Sequence, residues 1–295
     1  MQVAGKTAIV TGGGGGIGSA IAAAVAERGG RVVVADLDGA AAQRAAEAIN
    51  VSVCAGGADG APAVAAPGGD VADPEEIERL IALAESEFGP VDMYFANAGI
   101  TGAPGLDLTD EQWEAVLDVN LRAHTRAART LVPQWVERGG GYFVSTASAA
   151  GLLTQIGSAG YSVTKHAAVG FAEWLSVTYG DRGVLVSCLC PMGVDTPVLY
   201  DGQRSGDPLG AAATRAVVSA GEVLAPADVA AAVMQAVDDE RFLILPHPQV
   251  LEMYRHKGSD YDRWLRGMRR YQASLLEESK GVEDSKDQEE LEDTE

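Results

Sequence analysis

Cysteine and histidine are scarce in this chain of 295 residues, which has three cysteines and four histidines. Three thiols cannot build a disulfide framework, and Cys188 and Cys190 alternate along an apolar run, so we expect buried, reduced thiols there. The histidines are scattered, and none stands at a spacing that holds a metal ion. We therefore predict no metal site.

Long apolar runs are also absent, because no stretch approaches the roughly 18 residues that a transmembrane helix needs. A strand-like run from Thr7 to Thr11 begins almost at once, which argues against a signal peptide. These absences predict a soluble, cytoplasmic protein of a reducing compartment, without a membrane partner.

Basic residues are outnumbered, with 22 Lys and Arg against 42 Asp and Glu, and the net charge is -20. A chain of this sign repels phosphate backbones, which argues against a nucleic-acid partner. Part of the excess is local, because residues 277–295 hold ten acidic residues against Lys280 and Lys286. We predict that this tail is disordered, since it has few apolar anchors.

What the chain does contain is a regular alternation of short apolar runs with alanine-rich segments of helical period. Fully apolar strands between helices are typical of a parallel sheet covered on both faces. We predict an α/β fold, a doubly wound parallel sheet with helices on both faces, as one domain over residues 1–246. A C-terminal helical extension is predicted over 247–276. Local patterns also predict a helix over 39–49, a short strand ending near Asp70 and mostly helix over 113–135.

A run of five glycines, residues 12–16, follows the first strand and opens the first helix. Glycines there let the backbone turn tightly and approach a pyrophosphate, while the helix N-terminus presents unpaired N–H groups to it. The run leaves the register open. Gly13, Gly15 and Gly18 fit one phosphate-binding pattern, and Gly12, Gly16 and Gly18 fit another.

An acidic residue, Asp36, ends the second strand and is followed by Leu37, and we predict that both contact the cofactor. A carboxylate at this place accepts both hydroxyls of an adenosine ribose and repels a 2′-phosphate. Neither the glycine turn nor the next position supplies a cation for such a phosphate. The sequence therefore predicts NAD rather than NADP as the cofactor.

Tyr161 and Lys165 stand four residues apart, on one face of a predicted helix. An ordinary tyrosine has a pKa of about 10 and is a poor acid–base near neutral pH. A nearby ammonium lowers that pKa by favouring the phenolate. Ser148 follows a strand end and is placed to hydrogen-bond the same substrate oxygen.

Together with these residues, several motifs occur in an order that resembles the short-chain dehydrogenases/reductases over roughly residues 3–245. The motifs are Thr11-Gly12…Gly16-Ile17-Gly18, Asp70-Val71, Asn97-Ala98-Gly99, Asn120, Ser148, Tyr161 with Lys165, and the stretch Pro191…Thr196. The resemblance implies a Rossmann-type fold, with the cofactor and the substrate site both in the domain over residues 1–246. It also implies an NAD(P)-dependent oxidoreductase that interconverts a secondary alcohol and a ketone.

The resemblance also implies cofactor contacts at matching positions. Asp70, with the backbone of Val71, would hold the adenine amino group. Asn97, Ala98 and Gly99 would line the cofactor cleft at the end of the fourth strand.

The nicotinamide half of the cofactor would contact residues from two parts of the chain. These are Ile17 of the glycine turn and, from the later stretch, Pro191, Val194 and Thr196.

Catalytic roles follow from the same resemblance. Tyr161 would exchange the proton, Ser148 would hold the substrate oxygen, and Lys165 would lower the tyrosine pKa and grip the nicotinamide ribose. Asn120 would kink its helix around a water that links Lys165 to solvent.

The substrate pocket is predicted to be apolar. Two segments would bound it, the loop after Ser148 and the segment after Pro191, and residues 201–225 are predicted to form a mobile lid. The side chains they offer are Leu152, Leu153, Gln155, Ile156, Met192, Val198, Leu199 and Tyr200. Because that set contains few charges, it favours a medium-sized lipophilic alcohol or ketone as the substrate. Within the set, Gln155, Met192 and Leu199 are our candidate substrate contacts.

Departures from the family pattern are few. Met192 stands where the family commonly has glycine, and about fifty residues continue past the last predicted strand, Phe242 to Leu245.

Two rival functions stay open at this point. One is an epimerase- or dehydratase-type enzyme of the same fold, and the other is a catalytically silent protein that senses NAD(H). The resemblance also implies a homodimer or homotetramer, formed through the helices that span 113–135 and 161–179. The second of these helices has more apolar side chains than one sheet can cover.

Overall fold

The computed structural model describes residues 1–55 and 60–278 in full and, over 279–292, the helical backbone alone. Its strands are β1 (Thr7–Thr11), β2 (Arg31–Ala35), β3 (Ala63–Ala65), β4 (Met93–Ala96), β5 (Gly141–Thr146), β6 (Val184–Leu189) and β7 (Leu243–Ile244). They form one parallel sheet in the order β3-β2-β1-β4-β5-β6-β7. The strand order reverses between β1 and β4, and in such a sheet ligands bind beyond the carboxyl ends of the strands at that point.

Helices cover both faces of this sheet and continue past its last strand. They are α1 (Gly16–Glu27), α2 (Gly39–Ala55), α3 (Pro74–Phe88), α4 (Asp110–Leu117), α5 (Ala123–Arg138), α6 (Ala149–Leu152), α7 (Ala159–Tyr179), α8 (Pro197–Arg204), α9 (Pro208–Ser219), α10 (Pro226–Asp238), α11 (Gln249–Ser259) and α12 (Tyr261–Glu292). The predicted doubly wound α/β fold is confirmed, together with helices at its C-terminal end.

The hydrophobic core lies in two layers, one on each side of the sheet. Side chains of α3, α5 and α7 pack on one face, and side chains of α1, α2 and α10 pack on the other. The strands are buried on both faces, with Val33 facing one layer and Val34 the other. This double burial explains why the strands are continuous apolar runs rather than alternating ones.

The segment before Asp70 differs from its prediction. Helix α2 continues to Ala55, six residues beyond the predicted end, and β3 ends at Ala65, well before Asp70. The amide of Asn50 bonds both the N–H and the carbonyl of Ala63, at 2.9 and 2.8 Å. This long-range pairing sets where β3 begins, and a run of small residues does not reveal it.

The helix predicted over 113–135 is split. It begins with α4, where Thr109 and Gln112 form a capping box. A π-helical turn, Asp118–Arg122, then joins α4 to α5 and contains the buried Asn120. Such turns widen a helix locally and are frequent at functional sites.

The sequence also made predictions about the cysteines and about the C-terminal tail. Cys188 and Cys190 are buried and free, as predicted, whereas Cys54 is free and exposed. The backbone of 277–292 belongs to helix α12, whereas the sequence predicted a disordered tail over 277–295; residues 293–295 lie outside the described residues.

Candidate active site

The glycine turn lies at the carboxyl end of β1, where the strand order reverses. Gly12 and Gly16 have positive φ angles of 63° and 54°. A side chain on Gly18 would place its Cβ 2.1 Å from the Gly12 carbonyl oxygen, whereas a Cβ on Gly15 would meet nothing within 4 Å. Of the two phosphate-binding patterns that fit the glycine run, the geometry therefore favours Gly12, Gly16 and Gly18.

The turn leaves backbone N–H groups available to an anion. Helix α1 begins at Gly16, and its N-cap residue Gly15 provides no side chain to bond the first-turn N–H groups. Gly12, Gly16 and Ile17 line a cleft at this edge of the sheet, whereas the buried Gly18 lies beneath it. The cradle fits a phosphate group, because its backbone packs too closely for side chains: a Cβ at Gly18 would collide with the Gly12 carbonyl oxygen, and one at Gly12 would lie only 3.0 Å from Ala98 Cα.

Asp36 lines the same cleft from the end of β2. Its Oδ2 accepts a hydrogen bond from the Gly14 N–H at 2.9 Å, and its Oδ1 accepts one from the Asp38 N–H at 3.1 Å. The carboxylate is thus held against the glycine turn. Leu37 is 73% exposed and does not line the cleft.

Asn97 and Ala98 tie the end of β4 to the glycine turn. The Asn97 side-chain amide donates to the carbonyl oxygen of Thr11 at 3.0 Å. Thr11 Oγ1 accepts the backbone N–H groups of Asn97 and Ala98, at 3.0 and 3.1 Å. Asn97, Ala98 and Gly99 all line the cleft, and the Asn97 side chain serves to hold the turn in place.

The residues predicted for the adenine lie away from the described cleft lining. Asp70 Oδ1 accepts the N–H of Ala72 at 2.9 Å, and Val71 is buried in the core. Their predicted contact with the cofactor, like that of Leu37, stays a prediction.

The tyrosine, the lysine and the serine all line this cleft, and Tyr161 and Lys165 share one face of a helix, as their spacing predicted. Tyr161 and Lys165 lie on α7, and the Lys165 Nζ is 5.5 Å from the centroid of the Tyr161 ring. Lys165 is buried and donates to the carbonyl oxygen of Thr146 at 3.0 Å. Ser148 is the N-cap of α6, and its Oγ accepts the N–H of Ala150 at 3.1 Å.

Burial controls the acidity of these groups. It raises the pKa of Tyr161 above 10, and a hydrogen bond with Ser148 opposes that rise. Burial lowers the pKa of Lys165 from 10.5 to about 8, so the ammonium form still predominates at pH 7.

Asn120 lies behind this group rather than in the cleft lining. Its Oδ1 accepts the N–H of Ile100 at 2.9 Å, and its Nδ2 donates to the carbonyl oxygen of Ile100 and to Thr164 Oγ1. A Cβ on Gly99 would lie 3.2 Å from Asn120 Oδ1 and 3.3 Å from Lys165 Nζ. Gly99 therefore lies between the Asn120 and Lys165 side chains at close range. The water that Asn120 was predicted to hold, as a link from Lys165 to solvent, stays a prediction.

The remaining predicted cofactor contacts lie together. Pro191, Val194 and Thr196 line the cleft beside Ile17. A Cβ on Gly16 would meet Thr196 Cγ2 at 3.0 Å, so the stretch after β6 packs directly on the glycine turn.

The substrate half of the cleft contains part of the predicted apolar set. Gln155, Met192, Val198 and Leu199 line it. The segment predicted to be a lid contains the end of α8 and all of α9, and four α9 residues also line the cleft: Gly210, Ala213, Thr214 and Val217.

Leu152, Leu153 and Ile156 do not line the cleft, contrary to the prediction. Leu152 and Leu153 pack in the core beneath the sheet, and Ile156 packs in a small cluster with Ala212. The short helix α6 turns these side chains away from the cleft. Tyr200 instead donates to Asp195 Oδ1 at 3.2 Å.

His247, which no sequence pattern reveals, positions the backbone of the Pro191–Thr196 stretch that lines the cleft. It is 2% exposed, accepts the Met192 N–H at its Nδ1 at 3.1 Å, and lies 3.1 Å from the Glu222 carbonyl oxygen through its Nε2. The loop with Met192 in place of glycine is thus held by a histidine beyond β7. A lone histidine gives no spacing signal that reveals this contact.

The described residues contain neither a metal-binding cluster nor a membrane-spanning helix. No group of three or more His, Cys, Asp or Glu side chains there could hold a metal ion. Within the same part of the chain, no helix is long and apolar enough to cross a membrane.

Comparison with known proteins agrees with this geometry. Residues 6–205 match the short chain dehydrogenase family. A 1-deoxy-11-beta-hydroxypentalenate dehydrogenase of Streptomyces exfoliatus is 36% identical, over 88% of this chain and 90% of its own. A cyclohexanol dehydrogenase of an Acinetobacter species is 35% identical, over 66% of this chain and 76% of its own.

A solved structure is similar as well. A short chain dehydrogenase/reductase from Burkholderia phymatum, in complex with NAD, superposes with a TM-score of 0.78 at 29% identity and covers 89% of this chain and 96% of its own. With a family match over two thirds of its length and these relatives, the chain belongs to the short-chain dehydrogenase/reductase family.

Proposed function

We propose that this protein interconverts a secondary alcohol and a ketone, with NAD as the preferred cofactor and a medium-sized lipophilic molecule as the substrate. One observation carries the proposal. A single cleft is lined by the glycine turn and Asp36 and also by Tyr161, Ser148 and Lys165. This arrangement fits a dinucleotide, whose phosphates would meet the glycine turn and whose ribose would meet Asp36. It also fits an alcohol, which would meet Tyr161, Ser148 and Lys165.

The proposed preference for NAD rests on the charged side chains that line the cleft. Asp36 offers a carboxylate to ribose hydroxyls, and Lys165 is the only cation among the described residues that line the cleft. A 2′-phosphate beside Asp36 would therefore meet repulsion without a compensating charge. The relative from Burkholderia phymatum, whose structure contains NAD, gives the same indication.

The chemical half of the proposal assigns the proton to Tyr161. When bound, the nicotinamide takes or returns a hydride, and its oxidised ring adds a positive charge that favours the phenolate. Tyr161 then accepts the proton from the alcohol oxygen, or donates it to the ketone oxygen in reverse. Ser148 bonds the same oxygen, and the Lys165 ammonium stabilises negative charge on the phenol.

The substrate class follows from the lining of the cleft. The cavity has a volume of about 600 Å³, and its substrate half is walled by Met192, Leu199 and Val217, while Gln155, Asp201 and Thr214 are polar side chains in the lining. Such a wall favours apolar molecules with few hydrogen-bonding groups. The cyclohexanol and hydroxypentalenate dehydrogenases that this chain resembles bear names of hydroxyl compounds.

The test of this function is reduction of NAD⁺ or NADP⁺, followed by absorbance, with a panel of secondary alcohols. The panel runs from small polyols through cyclohexanol to bicyclic terpene alcohols and steroids. We expect turnover with NAD⁺ on the lipophilic members. NADH binding without turnover on any member would instead support the silent sensing protein.

The cofactor preference has its own test in Asp36→Asn. The amide keeps an acceptor for the Gly14 N–H but removes the negative charge, so the kcat/KM ratio of NAD⁺ to NADP⁺ is expected to fall by about tenfold or more. Asp38→Asn is the matched control, because Asp38 lies outside the cleft lining. An equal ratio in both variants would remove Asp36 from the ribose site.

A further inference from the structure

The outer wall of the substrate half is α9, and this helix has two occupied faces. Gly210, Ala213, Thr214 and Val217 line the cleft, at the spacing of one helical face. The residues two positions later, Ala212 and those that follow it at helical spacing, face away from the cleft. The position of α9 in the wall therefore depends on what packs against the face that contains Ala212.

The extension, which we define as α11 and α12, supplies the support. Leu275 of α12 is 3% exposed and packs in one cluster with Ala212 and Ala216 of α9. The Tyr271 hydroxyl donates to the carbonyl oxygen of Ala216 at 3.2 Å and lies 2.6 Å from Ser219 Oγ. Apolar packing and hydrogen bonds thus join α12 to the outer wall.

The extension also reaches the inner wall, through Lys257 of α11. This lysine is 5% exposed, and its Nζ donates to the carbonyl oxygens of Leu152 and Leu153, at 2.8 and 2.6 Å. The same atom lies 3.3 Å from Nε2 of His166, the neighbour of Lys165 on α7. Two rings cover the ammonium with centroids 5.4 and 5.2 Å away, those of Tyr261 and Trp264.

This lysine acts on a segment that begins at a catalytic residue. Helix α6 has only four residues and starts directly after Ser148. So short a helix is unstable alone, and its last carbonyl groups lack partners within the helix. A buried cation that bonds Leu152 and Leu153 satisfies those carbonyls and holds the helix end in place.

The two walls also touch each other. Gln155 Nε2, in the loop after α6, donates to the carbonyl oxygen of Ala213 on α9 at 3.2 Å. Ile156 packs against Ala212, in the cluster that contains Leu275. The extension therefore contacts both sides of the junction that closes the substrate half.

We propose that the extension sets the spacing between the two substrate walls, with Lys257 and Tyr271 as positioning residues. Lys257 anchors the segment from Ser148 to Gln155, and Tyr271 anchors α9. The inference deepens the proposed function, on which its substrate effect rests, because these walls would enclose the alcohol. Neither residue lines the cleft, so each acts through the elements that it holds.

Hydrogen exchange tests this inference without any substrate. In the full chain, Lys257→Met and Tyr271→Phe should each speed exchange in the wall they hold, peptides 149–158 and 208–219 respectively, by about tenfold. Arg266→Met removes an exposed charge from α12 and should leave both peptides within about twofold of the wild type. Exchange in Lys257→Met and Tyr271→Phe equal to that in Arg266→Met would overturn the inference.

Kinetics with two alcohols tests the effect on specificity. For a bicyclic terpene alcohol, borneol, we expect either positioning variant to raise KM by about fivefold, because the large substrate contacts both walls. For cyclohexanol the change should stay below about twofold, and NADH affinity should be unchanged. Equal effects on both alcohols would indicate a merely structural role and overturn the inference.

Failure of the proposed function would look different from failure of this inference. If the wild type turned over no alcohol, the proposed function would fail, while the hydrogen-exchange comparison would still decide whether the extension holds the two walls.

Discussion

At the scale of single residues, the site depends on one phenol that burial alone would make a weaker acid. Burial raises the Tyr161 pKa, and a hydrogen bond with Ser148 opposes that rise; the Lys165 Nζ lies 5.5 Å from the ring centroid. The proton step therefore depends on groups that favour the phenolate.

Replacing this phenol should stop the reaction but not cofactor binding. We expect Tyr161→Phe to lower kcat by at least about 100-fold, because the ring remains while the transferable proton is lost. NADH affinity, followed by fluorescence titration, should stay within about twofold. Tyr179→Phe makes the same change at the far end of α7 and should keep full activity; retained turnover in Tyr161→Phe would refute its catalytic role.

His124 adds a residue-scale effect on stability. It is buried on α5, its Nδ1 lies 3.0 Å from Ser145 Oγ, and its Nε2 has no hydrogen-bond partner among the described residues. Burial lowers its pKa from 6.5 to about 3. Between those values the unfolded chain binds a proton that the folded chain excludes, so the free energy of unfolding falls as the pH falls.

We expect this imidazole to account for about 2 kcal/mol of the stability that the wild type loses between pH 7 and pH 5. Urea unfolding at both pH values measures it. His124→Gln should lose about 2 kcal/mol less than the wild type over this interval. His256→Gln, an exposed histidine on α11, should behave like the wild type; equal losses in all three proteins would contradict the assignment.

At the scale of elements, the glycine turn depends on close backbone approach. We expect Gly18→Ala to weaken NADH binding by at least about tenfold, because its Cβ would lie 2.1 Å from the Gly12 carbonyl oxygen and displace the turn. Gly267→Ala, in α12, adds the same methyl group where nothing lies within 4 Å, and there we expect unchanged binding. Calorimetric titration compares them; equal affinities would show that the turn tolerates a side chain.

Local sequence patterns were sufficient to predict most of the helices and strands. The strands and most helices could be predicted because a doubly covered sheet needs apolar runs, and helical faces repeat at 3.6 residues. The end of α2 and the position of β3 could not, because Asn50 and the pairing with β2 decide them. Likewise the π-helical turn at Asn120 arises from its bonds to Ile100 and Thr164.

At the scale of the whole molecule, α7 leaves an apolar stripe uncovered. Val163, Trp174 and Val177 are 51%, 54% and 86% exposed and lie on one helical face. Phe171 and Tyr179, in contrast, pack against the core. We propose that this stripe joins two copies of the chain, in agreement with the predicted homodimer or homotetramer.

Light scattering tests the assembly. We expect the wild type to contain at least two chains, and the double variant Trp174→Glu/Val177→Glu to dissociate, because two buried charges would face each other across a symmetric contact. Val51→Glu, at an exposed valine on α2, should leave the mass unchanged. A monomeric wild type at micromolar concentration would exclude the assembly.

The sequence alone was enough to assign the fold class and the family, and it predicted the chemical groups that line one cleft. Parallel strands have their carboxyl ends at one edge of the sheet, and for this reason Gly12, Asp36 and Ser148, which follow strand ends, lie in the same cleft. Tyr161 and Lys165 share a helical face by spacing alone. Only the tertiary structure decided which apolar residues line the cleft and what holds its walls. Lys257 bonds Leu152, a residue 105 positions away, and contacts across such distances leave no periodic trace in a sequence.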